Sequence, residues 1–168
     1  HVRQISMTKR IMRREASDNV YLHQDFHGAL SAGIEYLHEK YGEDAVRRYL
    51  WQFARSFYAP LTESLKACGL ADLEDHFRRV YDVEGGAVRF VLSEDELRIE
   101  VDACPAVTHM RQQGYPVARL FRETTDTVNR AICDGTAFAA ELVAYDEETG
   151  RSVQRFYRRR RESDEGAC

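Results

Sequence analysis

"AVRFVLSEDELRIEVDA", residues 87–103, is the stretch on which the fold turns. Its second half alternates without a break. Leu97, Ile99 and Val101 point one way, and Glu96, Arg98, Glu100 and Asp102 the other. That period of two predicts a strand with one buried and one wet face. Ser93 to Asp95 separates it from a matching run at 88–92, so the whole stretch reads as a β-hairpin.

Upstream of "EGG" at 84–86 the period is helical. "SDN" at 17–19 supplies an N-cap signal for a helix running to about Tyr41. Its stripe is Val20, His23, His27, Leu30, Ile34, Leu37 and Tyr41, and Gly42 stops it. A second helix starts near Glu43, where acidic residues suit the N-terminal dipole. It carries Val46, Leu50, Phe53, Phe57 and Leu61, with a kink or restart at Pro60 and an end at Gly69. A short third helix, Asp72 to Tyr81, is expected to bury Leu73, Phe77 and Val80.

Downstream of the hairpin, one helical stretch spans Pro105 to Gln113 and another runs from about Val117 to Cys133, capped by Gly135. The second has Phe121, Thr124, Val128 and Ile132 on its stripe. "TAFAAELVAYDEETGRSVQRFYRR" then reads as a second hairpin turning at Asp146 to Gly150. The expected fold class is α+β: N-terminal helices and two β-hairpins forming an antiparallel sheet, with helices packed on one face. One domain is expected over 20–159, between an N-terminal arm (1–19) and a charged tail (160–168).

The 168 residues suffice for a real core, and 43% hydrophobic with 31% charged residues reads as soluble and globular. The formal net charge of −4 argues against a general nucleic-acid binder. No run of about 18 apolar residues exists, so no membrane span is expected. The first 16 residues lack the apolar core of a signal peptide. With no export signal, the four cysteines, Cys68, Cys104, Cys133 and Cys168, are expected to be reduced thiols in the cytoplasm, and without a C-x-x-C pair the zinc-ribbon and thioredoxin signals are absent. Neither a P-loop nor a Rossmann glycine fingerprint is present, and no cofactor is expected.

Several residues could carry chemistry. Cys104 follows the clean strand and precedes Pro105, a favoured first helical residue, which places the thiol at or near a helix N-cap. There the dipole and free amides lower a thiol pKa. The alternative is a packed cysteine at an element junction. His109 is a poor base for it, since five residues turn a helix by about 500°, well off one face. "HQDFH" at 23–27 is the better supplier, because His23 and His27 share a helix face that is also the apolar stripe. Such a pair can hold a metal, but Gln24 stands where a zincin has Glu. Both histidines can equally be hydrogen-bonded core residues.

In "RFYRRRR", 155–161, a self-neutralising solvated tail is the preferred reading because "ESDE" follows it. Arg155 and Arg158 fall on opposite strand faces, so one of them is a pocket candidate. The dense aromatics Tyr49, Trp51, Phe53, Phe57 and Tyr58 read mostly as core, with an aromatic pocket or a homodimer surface as further readings. Cys68 and Cys133 read as structural.

Three segments carry a resemblance: "HQDFHGALSAGIEYLHEKYGEDAVRRYLWQFARSFYAPL", "VDACPAVTHMRQQG" and "GTAFAAELVAYDEETGRSVQRF". Together they cover most of residues 20–158, and they resemble the L-2-amino-thiazoline-4-carboxylic acid hydrolase-like family of small bacterial proteins. The resemblance implies a ring-opening hydrolase acting on a C–N bond of a cyclic amidine or thiazoline carboxylate. It would make Cys104 a nucleophile or site thiol, and His27, with His23, the general base. Arg119 or Arg155 would hold the substrate carboxylate, with His109 as a further substrate contact. The chain departs from a two-thiol mechanism, because its last strand ends in Val-Gln-Arg-Phe with no second cysteine.

The competing reading is a non-enzymatic module that binds a small molecule or pairs as a dimer. The element order also resembles 4-vinyl reductase-like and trafficking-particle-like domains. An enzyme should place Cys104 and His27 together in a polar cleft. A binder should show an apolar cavity distant from both. A metal sensor built on His23, His27 and a cysteine is a third reading.

Overall fold

The period-two stretch forms the hairpin it predicts. The computed structural model describes residues 24–160. Among them the chain forms helices α1 (Asp25–Tyr41), α2 (Glu43–Phe57), α3 (Ala59–Cys68) and α4 (Leu70–Glu84), then strands β1 (Val88–Leu92) and β2 (Glu96–Val101). Helices α5 (Pro105–Gln112) and α6 (Glu123–Cys133) follow, and strands β3 (Phe138–Tyr145) and β4 (Ser152–Arg158) complete the fold. His23, the arm over 1–19, Cys168 and the tail beyond residue 160 lie outside the described residues.

The four strands make one antiparallel sheet in the order β1-β2-β4-β3, so each hairpin supplies an outer strand and a central one. Leu97 pairs with Phe156 and Ile99 with Gln154 across the centre. Leu97, Ile99, Val101, Ser152, Gln154 and Phe156 are all buried beneath the helices. Each fully buried Leu, Ile or Phe there is worth about 1.5–3 kcal/mol relative to exposure. The other face carries a charged lattice. Arg98 Nε donates to Glu100 Oε1 at 2.9 Å, and Arg155 Nε donates to Glu96 Oε2 at 2.8 Å. Arg98 and then Arg89 hold the Glu100 carboxyl below its ordinary range. Exposed pairs of this kind add little stability but keep the face wet.

The α+β architecture matches the sequence expectation, while several boundaries move. Of the two readings at Pro60, the restart is the one observed. Helix α2 ends at Phe57, and α3 restarts with Pro60 in its first turn, where the missing N–H costs nothing. The third expected helix is longer than Asp72 to Tyr81, running to Glu84, where Gly85 takes a left-handed φ of 78°.

The helix expected from Val117 begins only at Glu123. Residues 115–118 are irregular and tied down by tertiary hydrogen bonds, and 119–122 form turns. Ser31 Oγ donates to the Pro116 carbonyl at 2.9 Å and accepts from the Ala118 amide at 2.8 Å. The Phe121 amide turns back to the Ala118 carbonyl at 3.0 Å.

The stripe assigned to α2 also shifts. Its buried residues are Val46, Leu50 and Ala54, while Phe53 and Phe57 remain 38% and 66% exposed. Cys133 is buried, as a structural role requires, but Cys68 is exposed, and no disulfide forms among the described residues. No described helix is long and apolar enough to cross a membrane.

Candidate functional site

Between the helical layer and β4 lies a cavity of about 370 Å³, within the size range of small-molecule sites. Leu30, Leu50, Phe77, Phe121, Val128 and Ile132 form much of its apolar wall. Phe26 is 59% exposed and, with Phe53 and Phe57, brings aromatic edges to its solvent-facing side. These rings look out of place on an isolated amphipathic helix, but they are the apolar surface of an open cavity.

A few polar groups converge on this wall. His27, on the first turn of α1, donates from Nε2 to Glu84 Oε2 at 3.2 Å, where α4 ends. Deeper in, Asn129 Nδ2 donates to Gln154 Oε1 at 2.8 Å, and Gln154 Nε2 donates to Ser152 Oγ at 3.3 Å and to Tyr81 Oη at 3.5 Å. Asn129 and Gln154 are buried, so this mutual pairing removes a desolvation cost that either amide alone would carry. Burial pushes the Tyr81 phenol up to about 12, with Cys104 and Glu84 adding to the shift. Burial also holds His76 below the ordinary histidine range, aided by Arg79.

Cys104 lines the same cavity and stands at the α5 N-cap, as the Cys-Pro pair predicts. Its side chain makes no capping hydrogen bond, and burial pushes the thiol pKa up. The amides of Val107 and Ala106 pull the other way, and Glu84 adds to the rise. The expected depression at a helix N-terminus is therefore reversed: desolvation of the thiolate outweighs the dipole.

Alkylation of Cys104 by iodoacetamide should rise with a midpoint above that of a free cysteine peptide, about 8.5. A midpoint below the peptide's, followed site by site in mass spectra, would contradict this account. Burial likewise raises Cys133, to about 12. Both thiols hold their protons more tightly when folded. Their contribution to stability is therefore full below about pH 8.5 and is lost as pH rises through the folded values.

The other anticipated site residues do not join the cavity lining. His109 lies on another side of α5, where Nε2 donates to Asp25 Oδ1 at 3.1 Å and the ring meets Tyr115 edge-on. Arg119 is turned outward, with Nε donating to Glu35 Oε1 at 2.7 Å and its own amide to Glu35 Oε2 at 3.0 Å. Arg155 sits on the charged sheet face, stacked over Tyr157. Both arginines are thus engaged by carboxylates away from the cavity that holds Cys104 and His27. Arg158, the alternative strand arginine, pairs with Asp95 at 2.6 Å and lies over Phe138. His23 lies outside the described residues, so the His23–His27 metal pair does too. No group of three His, Cys, Asp or Glu side chains suited to a metal occurs among the described residues.

Sequence reasoning missed Glu84, Tyr81, Asn129 and Gln154. Two had a visible signal. Gln154 is a polar residue at an inward position between Ser152 and Phe156, and Asn129 sits beside Val128 on the apolar side of α6. Neither expected discriminator is met in pure form, because the cavity is mainly apolar yet includes both Cys104 and His27. No hydrogen bond joins the Cys104 thiol to His27 among the described residues.

A second depression of about 400 Å³ is lined by residues of the packed helices α2 and α6, Arg47, Trp51, Glu123 and Arg130 among them. Its buried carboxylate is already satisfied: Arg47 Nε donates to Glu123 Oε1 at 3.2 Å, and Thr127 Oγ1 donates to Oε2 at 2.5 Å. No protein-family model matches the chain, and no curated protein matches it at a significant level.

Proposed function

We propose that the chain binds a small, largely apolar molecule in the cavity beneath α1, α2 and α4, with the molecule's polar end against His27, Glu84 and Cys104. The observation that carries this reading is one cavity of about 370 Å³ whose apolar wall is broken by a few convergent polar side chains. That is the usual anatomy of a ligand site. The neutral fluorophore N-phenyl-1-naphthylamine should bind saturably with an emission rise. Thr125→Trp, which fills the cavity from α6, should abolish the rise while the chain stays folded. Emission that fails to saturate, or that survives the filled cavity, sinks the proposal.

A hydrolytic role is the second reading, favoured by one specific observation: the His27–Glu84 pair and Cys104 line a single cavity. Glu84 orients the imidazole as the carboxylate of a catalytic triad does, and His27 serves as general base. Cys104, protonated at neutral pH, acts as a nucleophile only after a base removes its proton. This is the ring-opening chemistry implied by the resemblance to the thiazoline-carboxylate hydrolase-like family. The expected carboxylate anchor is missing, since neither Arg119 nor Arg155 lines the cavity. Turnover of cyclic amidines or thiazolines should vanish in both Cys104→Ala and His27→Ala, and unchanged turnover in both removes the mechanism.

A further inference from the structure

The cavity has a charge character that its apolar walls conceal. Glu84 is its one carboxylate, and no Arg, Lys or Asp lines it among the described residues. Glu84 is also the last residue of α4, whose final turn contains no basic residue. Backbone carbonyls at a helix C-terminus carry partial negative charge, and cations are favoured there. The carboxylate and the adjoining helix end thus place negative potential on one wall of the cavity. His27 answers part of it with a single N–H donated to Oε2, but a carboxylate offers about four acceptor sites.

Aromatic rings share the remaining walls with aliphatic side chains. Phe26, Phe53, Phe57, Tyr58, Phe77 and Tyr81 all line the cavity. Phe53 and Phe57 stack at 5.3 Å between centroids, and Tyr58 meets both rings edge-on. Aromatic faces attract cations and tolerate apolar bodies equally well. The neighbouring acids respond to Glu84 in the same sense, since it adds to the upward shifts of Tyr58, Tyr81 and Cys104. The paired amides of Asn129 and Gln154 add no net charge.

From this combination we infer that the ligand is an organic cation, an amine or amidinium on an apolar, ring-sized body, whose charged head sits against Glu84. The inference rests on the small-molecule reading above and sharpens it. It also separates this cavity from one built for a carboxylate-bearing substrate, which Glu84 and the end of α4 would repel.

A matched series tests it: 2-(1-naphthyl)ethylamine, 2-(1-naphthyl)ethanol and 1-naphthylacetate, titrated calorimetrically into the full chain at pH 7.4. The amine should bind at least about tenfold tighter than the alcohol, and the acetate most weakly. In Glu84→Gln the amine's advantage over the alcohol should vanish. Equal binding of amine and alcohol, or tighter binding of the acetate, overturns the cation inference and leaves the small-molecule reading standing. Saturable binding of none of the three overturns both. Should Glu84→Gln not fold, the ranking on the unaltered chain decides, together with an amine affinity that falls with added salt while the alcohol's does not.

Discussion

Gly150→Ala should cost about 2–4 kcal/mol of stability, far more than alanine at an ordinary turn glycine. Gly150 has a φ of 67°, which an L-residue adopts at a cost of about 1 kcal/mol or more. It is also buried at the end of the β3–β4 turn, and an added Cβ would overlap the Cys104 Cβ and approach Val107 Cγ2 to 2.9 Å. Neither neighbour can swing away, since Val107 is fully buried and the Cys104 amide donates to the Thr149 carbonyl at 3.0 Å. Gly135→Ala is the control: its φ is 71°, yet no atom lies within 4 Å of the added Cβ. It should lose only the backbone share, about 1 kcal/mol. Urea melts of the two variants separate contact from conformation, and equal losses would mean that the turn does not press on Cys104. The same displacement should change the alkylation rate of Cys104 in Gly150→Ala and leave it unaltered in Gly135→Ala.

Phe156→Ala should lower stability by about 3–5 kcal/mol, a large part of the ~5–15 kcal/mol typical of a domain. Phe156 has no exposed surface, faces Leu97 across the central strand pair, and meets the Phe77 ring at 5.5 Å between centroids. Truncation removes its transfer energy and leaves a void that sheet and helix cannot both close. For a chain of this size the melting temperature should drop by roughly 6–20 °C. Phe156→Leu keeps most of the volume and should lose less than half as much. Phe77 also lines the cavity, so any folded fraction of Phe156→Ala should bind N-phenyl-1-naphthylamine more weakly. A loss below about 1 kcal/mol in chemical denaturation would mean that this ring does not join α4 to the sheet.

The sheet was legible because the side-chain period of a half-buried strand is short and strict. Leu97, Ile99 and Val101 alternate with charges, and one hairpin of this kind constrains the other. Helix boundaries were legible where glycine or proline enforces them, as at Gly42, Gly69 and Pro105. The start of α6 was not, because the Ser31 hydroxyl that ties down residues 116–118 lies on a different helix.

The candidate site was read in part. Cys104 and His27 were found from local position alone, and they do line one cavity. The direction of the Cys104 shift was missed because burial is a property of the packed whole. The arginines failed for a similar reason: Arg119 and Arg155 have carboxylate partners that sequence distance conceals, Glu35 for one and Glu96 for the other. Phe53 and Phe57 were assigned to the core because a helical stripe does not distinguish a filled interior from the wall of a cavity.

The order β1-β2-β4-β3 has a kinetic side. Each hairpin can close locally, but a two-stranded ribbon is at best marginal alone in water. The pairing that makes a sheet of them joins 96–101 to 152–158, across the whole of α5 and α6. Such a non-local closure loses chain entropy before it gains contacts, and it slows folding relative to a helical bundle of equal length. Gln154 and the residues around Cys104 approach one another only when that closure is made, so the cavity is incomplete before it. Refolding followed by a bound fluorophore and refolding followed by backbone signals should therefore finish together.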